Sequence, residues 1–101
     1  MINIQGLELF ENSGAHDYEI EWININYVEA EIILKLKNSK NKSYDFYIKE
    51  FKYFNITHKE KWGKGKYICD SDLKQSDSDD LYVLEITLNS GDEITIQFTM
   101  N

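Results

Sequence analysis

Tyr82-Val83-Leu84-Glu85-Ile86-Thr87-Leu88-Asn89-Ser90-Gly91-Asp92-Glu93-Ile94-Thr95-Ile96-Gln97-Phe98 is the stretch of this sequence that decides the fold. Apolar residues alternate with polar ones on both sides of a Gly-containing turn, which is typical of a half-buried β-hairpin. A three-residue loop over 89–91 sets the apolar residues of the two strands opposite one another, whereas a two-residue loop exposes one apolar face. The predicted facing pairs are Ile86 with Ile94, Leu84 with Ile96 and Tyr82 with Phe98. Gly91 is then expected in the left-handed conformation.

Similar short runs recur upstream of the hairpin. They predict strands over 18–27, 30–36, 44–48 and 51–56, with a possible short strand over 67–69. The parity of the apolar residues switches between Trp22 and Ile23, which predicts a β-bulge or twist there. Residues 44–56 also fit a helical spacing, although their aromatic and β-branched content favours strands. Residues 1–10 fit either a strand or one or two helical turns.

The predicted fold class is all-β. Six to eight strands in a chain of 101 residues indicate an antiparallel β-sandwich or a small, partly open β-barrel with at most one short helix. No linker or repeat divides the chain, so residues 1–101 are expected to form a single domain. Predicted loops cover 11–15, 38–43 and 57–66, and the acidic, Ser-rich segment 70–80 is predicted to be mobile.

Composition limits the class of protein. Apolar residues make up 42% of the chain, which excludes global disorder. No apolar run approaches the roughly 18 residues that span a bilayer, and no secretory signal precedes the strands. Cys69 has no partner for an internal disulfide, which fits a reducing cytoplasm, and we expect its side chain to be buried.

Charge is distributed unevenly. Ten of the eleven lysines fall between Lys35 and Lys66 against three acidic residues, so this segment carries +7 and the remainder −14 of the total −7. The favoured interpretation is that neighbouring strands pair opposite charges. The alternative is a two-faced surface that steers a charged partner. The excess of acid argues against a nucleic-acid partner, because phosphate binding depends on Lys and Arg.

Few residues are candidates for catalysis or metal binding. His16 and Asp17 form a base or ligand pair only if the chain bends there, because neighbouring strand residues point to opposite faces. His58 and Cys69 lack the short spacing of a zinc site. The Asp70-Ser71-Asp72 run fails the EF-hand pattern at Lys74 and Gln75. We therefore predict no catalytic residue, metal or cofactor. Trp62 is either an exposed interaction anchor or a cap on one end of the sandwich.

A resemblance to a known group of proteins rests on short motifs. Gly14-Ala15-His16-Asp17-Tyr18-Glu19-Ile20 precedes a strand, and Trp62-Gly63 is followed by Tyr67-Ile68. The combination resembles small bacterial YxiG-like proteins and some immunity proteins of polymorphic toxin systems. The resemblance implies a cytoplasmic β-domain that binds and neutralises a toxin. By position, His16, Asp17, Trp62 and Gly63 are its signature residues.

Three functions follow as hypotheses. The first is a non-enzymatic, immunity-like protein that masks a cognate toxin through an acidic surface. The second is a small ligand- or metal-binding β-barrel, possibly an enzyme, that uses His16, Asp17 and His58. The third is a structural homo-oligomer, such as a homodimer, that pairs through edge strands.

Overall fold

The computed structural model describes residues 6–76 and 80–99. A 3₁₀ segment over Leu7–Ser13 precedes seven strands, namely β1 (Glu19–Asn26), β2 (Glu31–Lys37), β3 (Ser43–Lys49), β4 (Phe51–Ile56), β5 (Ile68–Gln75), β6 (Leu81–Leu88) and β7 (Glu93–Thr99). Strands β1-β2-β3 form one antiparallel sheet and β4-β7-β6-β5 the other. The predicted all-β, antiparallel sandwich with one short helix is confirmed; the two sheets do not close into a barrel.

The β6–β7 hairpin has the predicted register. Tyr82 faces Phe98, Leu84 faces Ile96 and Ile86 faces Ile94, and all six side chains are buried. The turn contains three residues, because the Leu88 N–H donates to the Asp92 carbonyl over 2.8 Å. Gly91 has φ +90°, the left-handed conformation that glycine adopts without steric cost. The hairpin therefore supplies the centre of the core.

The first sheet follows the alternation of its sequence. Ile32, Leu34 and Leu36 of β2 are buried. The β1–β2 register shifts between Ile20 and Trp22, so a bulge in β1 is confirmed, but Glu21 is its extra residue. The bulge therefore precedes Trp22, which is 42% exposed, and does not follow it as predicted. Ile20 and Ile23 consequently both pack against the core.

Residues 44–56 form two strands, not a helix. Glu50, with φ +57°, makes the corner at which β3 ends and β4 enters the second sheet. The Phe51 N–H donates to the Ala30 carbonyl (3.1 Å), and the Thr99 N–H donates to the Glu50 carbonyl (3.2 Å). This corner therefore ties the two sheets together at one end.

A second corner joins the sheets at the other end. Glu19 at the start of β1 pairs with Tyr67, which precedes β5. The Ile68 N–H donates to the Tyr18 carbonyl and the Asp17 N–H to the Ile68 carbonyl, each over 2.8 Å. The two corners leave one opening between β3 and β5 and another between β1 and β4.

The 3₁₀ segment fills the opening between β3 and β5. Leu7 and Phe10 are buried, and the Phe10 ring meets the Phe46 ring edge-on at 5.3 Å. The Phe10 carbonyl accepts a hydrogen bond from the Ser71 hydroxyl (3.0 Å). The opening between β1 and β4 remains a cleft of about 300 Å³ with Ile23, Ile56 and Ile94 in its lining.

The structure decides or changes the expectations for two segments. Of the undecided residues 1–10, those numbered 7–10 form 3₁₀ turns, and 1–5 lie outside the described residues. Glu11 and Asn12 leave the helical conformation (φ −68°, ψ 137° and φ 54°, ψ 39°), so the chain kinks within the predicted loop 11–15. The prediction that 70–80 is a mobile segment is wrong for residues 70–75, because they belong to β5. Asp77–Asp79 lie outside the described residues.

The error over 70–75 has a physical reason. Ser71 and Leu73 point inward and are buried, so the segment alternates like a strand although its composition is that of a loop. Cys69 is exposed, contrary to the expectation of burial. The β5–β6 register shifts between Ile68 and Asp70, so Cys69 is the bulged residue, whose backbone the ladder leaves unpaired.

Across residues 6–76 and 80–99, the structure contains no helix with the length and apolar character needed to cross a membrane.

Candidate functional site

The outer face of the four-stranded sheet gathers carboxylates from three adjacent strands. Asp70 and Asp72 lie on β5, Glu85 on β6 and Glu93 on β7, and together they line a shallow depression of about 300 Å³. Asp72 lies directly opposite Glu85. Thr87 lies opposite Asp70 on one side and opposite Glu93 on the other. We call these four residues the acidic face.

Like charges directly opposite one another destabilise a sheet, and Lys74 offsets part of that repulsion. Its Nζ lies 3.0 Å from Glu85 Oε1 and 3.9 Å from Asp72 Oδ2. The hydrogen bond and the charge of Glu85 raise the pKa of Lys74 above its ordinary value. Among the described residues that line the depression, one lysine thus faces four carboxylates, and the surface stays negative.

The three-stranded sheet has a different charge pattern. Across its strands Glu19 lies opposite Lys37, Lys35 opposite Asp45, and Glu31 opposite Lys49. Residues of opposite charge therefore face one another across neighbouring strands of this sheet, as the favoured interpretation of the charge distribution expects. The acidic face instead has one dominant sign, as one side of the alternative two-faced surface would; whether it steers a charged partner stays a prediction.

The loop Thr57–Lys66, here called the Trp loop, is anchored by one buried carboxylate. Asp92 accepts hydrogen bonds from the backbone N–H groups of Lys59 (2.6 Å) and Glu60 (3.0 Å). The hydroxyls of Thr57 and Ser90 also donate to it, each over 2.8 Å. These bonds, the one from Lys59 first, hold the pKa of Asp92 far below its usual range although burial acts against them. Asp92 therefore remains ionised and fixes the loop to the hairpin turn.

Trp62 is held in place but exposed. Its backbone N–H donates to the Ser90 carbonyl over 3.1 Å, and its ring lies against Gly91, where an added Cβ would come within 3.0–3.2 Å of the ring carbons. The side chain is nevertheless 74% exposed. Trp62 is thus exposed, as the anchor interpretation expects, and its role as an interaction anchor stays a prediction. Gly63 has φ +96°, a left-handed backbone conformation that favours glycine, although there is open space around it for a side chain.

The sequence-predicted site residues do not meet at one place. His16 Nδ1 lies 3.2 Å from Asp17 Oδ2 on the surface, because Asp17 has φ +71° and the chain bends before β1. His58 lines the cleft between β1 and β4, whereas Asp17 lines a different one beside Tyr67. Within the described part of the chain, no group of three or more His, Cys, Asp or Glu side chains is placed to hold a metal ion.

Sequence reasoning missed the acidic face as a site. Asp70 and Asp72 were assigned to a mobile loop, and the register that sets them beside Glu85 and Glu93 was not foreseen. The available signal was the alternation of Ser71 and Leu73 with charged neighbours, which predicts a strand with a charged outer face.

No family model matches the chain, and no curated protein matches it closely enough to count as similar.

Proposed function

We propose that this protein is a non-enzymatic binding domain that recognises a basic protein surface through its acidic face. The most specific form of the proposal is a cytoplasmic, immunity-like protein that neutralises a cognate bacterial toxin. The observation that carries it is the placement of Asp70, Asp72, Glu85 and Glu93 on one sheet face, where Asp72 lies directly opposite Glu85 and Thr87 separates Asp70 from Glu93.

This arrangement favours recognition over stability. Directly opposed carboxylates weaken the sheet, but they concentrate negative potential on a rigid surface. Such a surface attracts a basic partner and accelerates its encounter. The resemblance through His16, Asp17, Trp62 and Gly63 points to the same class of function.

Co-expression of the full chain with the toxin encoded by a neighbouring gene tests the proposal. We expect a complex by gel filtration and rescue of growth. The double variant Glu85→Gln/Glu93→Gln removes two charges from the acidic face with little change of shape. We expect it to lower the association rate by about tenfold at low ionic strength.

A matched control removes the same charge elsewhere. Glu29→Gln/Asp45→Asn changes the β1–β2 turn and the outer face of β3 and should leave association near the wild-type rate. Equal losses in the two double variants would indicate a general effect of net charge and contradict a specific acidic face. Absence of both complex and rescue with the wild-type chain would end the immunity proposal.

A further inference from the structure

Strand β1 presents an unusual edge. The segment 22–28, Trp-Ile-Asn-Ile-Asn-Tyr-Val, contains no charged residue, no proline and no glycine. Over residues 6–76 and 80–99, β1 pairs with β2 on one side and with Tyr67 at Glu19 on the other. No described strand therefore covers its second side from Ile23 to Asn26. Natural edge strands usually carry charges or prolines that prevent such pairing.

Apolar side chains beside this edge are left incompletely covered. Ile25 of β1 and Ile56 of β4 lie opposite the buried residues Ile32 and Ile94, yet they are 42% and 43% exposed. They border the opening between β1 and β4, and Ile56 lines its cleft. The opposite opening is filled by Leu7 and Phe10 of the chain itself. Among the residues that the structure describes, the core is thus covered on one side and left open on the other.

Two exposed apolar residues at the other end of β1 could cover this opening in a second copy of the chain. Tyr27 and Val28, in the turn that follows β1, are 85% and 88% exposed. The cleft contains about 300 Å³, and Ile20, Glu21 and Trp22 form its β1 wall. The lining of the cleft is mainly apolar but includes Glu21, His58 and Lys66. An exposed apolar pair and a mainly apolar recess therefore lie at opposite ends of the β1 edge.

We propose that two copies of this chain form a dimer through antiparallel pairing of their β1 edges about a twofold axis at Asn24. Antiparallel pairing about that axis sets Ile23 of each copy opposite Ile25 of the other. Backbone pairing spans residues 22–26 of each copy, because the Ile20 N–H already donates to the Lys66 carbonyl over 2.7 Å. Tyr27 and Val28 of one copy then lie beyond this pairing, next to Glu21 of the other copy at the wall of its cleft. Each copy thereby completes the open side of the other, and the contact is self-complementary as a twofold interface requires.

The dimer joins the three-stranded sheets into one six-stranded sheet. The acidic face lies on the other sheet and remains accessible, so each dimer carries two copies of it. Dimerisation does not depend on the proposed function, and failure of one leaves the other standing.

Disulfide trapping tests the register. In a Cys69→Ser background, the full-length Asn24→Cys variant places two cysteines across the axis, about 4.5–5.5 Å apart between Cα atoms, within the range for a disulfide. Asn26→Cys is the matched control, because its two copies would lie about 14 Å apart. We expect cross-linked dimer from Asn24→Cys only. Cross-linking of Asn26→Cys instead, or of neither variant, would overturn the proposed pairing.

Edge substitutions test the interface without cross-linking. Native mass spectrometry and sedimentation of the wild type over a concentration series should show a species of twice the chain mass of 12.0 kDa. Ile25→Lys should raise its dissociation constant more than about tenfold, because lysine blocks edge pairing. Tyr53→Lys, on the exposed edge strand β4, should leave the dimer intact. A wild-type monomer throughout, or dissociation by Tyr53→Lys alone, would contradict the proposal.

Discussion

Replacing Gly91 with alanine tests the turn that shapes both the hairpin and the Trp loop. Gly91 has φ +90°, and a non-glycine residue in left-handed backbone loses about 1–2 kcal/mol. The added Cβ would lie 3.0–3.2 Å from ring carbons of Trp62. This contact adds little to the free-energy cost of the substitution, because Trp62 is 74% exposed and its ring can shift by a few tenths of an ångström. Gly91→Ala should therefore lower the free energy of unfolding by about 1–2 kcal/mol, and each kcal/mol lowers the Tm by about 4–8 °C.

Urea unfolding followed by far-UV circular dichroism measures this change in the wild-type and Trp62→Ala backgrounds. The same loss is expected in both, because its origin is the backbone. Gly91→Asn serves as the matched variant and should lose less, since asparagine adopts the left-handed region more readily. A neutral Gly91→Ala would refute the left-handed turn. A loss that disappears with Trp62→Ala would assign the effect to the ring contact instead.

Two further predictions concern stability. The lowered pKa of Asp92 means that its ionised form stabilises the folded state above the pKa of an unfolded aspartate, about 3.9, and that this contribution is lost as the pH falls below that value. Asp92→Asn should therefore destabilise the protein at neutral pH and reduce the fall in its Tm as the pH is lowered. An unchanged fall in Tm would contradict a lowered pKa for Asp92. Leu84→Ala, at a fully buried site, should lower the free energy of unfolding by about 2–5 kcal/mol by denaturant titration, and a loss below about 1 kcal/mol would place Leu84 outside the core.

Local pattern sufficed for part of this fold. In β6 and β7 each buried residue alternates with a polar one, and the position of Gly91 distinguishes a three-residue from a two-residue turn. The alternation and the turn length both depend on residues that are close in sequence, so the register of the β6–β7 hairpin could be derived. The bulge in β1 could be derived for the same reason, because one inserted residue changes the parity of all that follow.

The acidic face and the anchoring of the Trp loop could not be predicted from the sequence, because both depend on contacts between residues far apart in the chain. Composition made 70–75 look like a solvated loop, but burial of Ser71 and Leu73 against the 3₁₀ segment converts it to a strand. The sequence places Asp92 in the hairpin turn, and its role becomes visible only when the Trp loop supplies three donors beside the Ser90 hydroxyl. Likewise, the left-handed backbone of Asp17 allows His16 and Asp17 to meet, which strand geometry alone would forbid.

The anchoring of the Trp loop also sets an order for folding. Asp92 and its partner Lys59 are separated by 33 positions along the chain, so the loop gains its bonds only after β4 and the β6–β7 hairpin have come together. These non-local bonds carry a loop-closure entropy cost that the β6–β7 hairpin, with its three-residue turn, does not. In a Trp22→Phe variant, the fluorescence of Trp62 would consequently report the last stage of sheet assembly, while circular dichroism would follow the earlier ones.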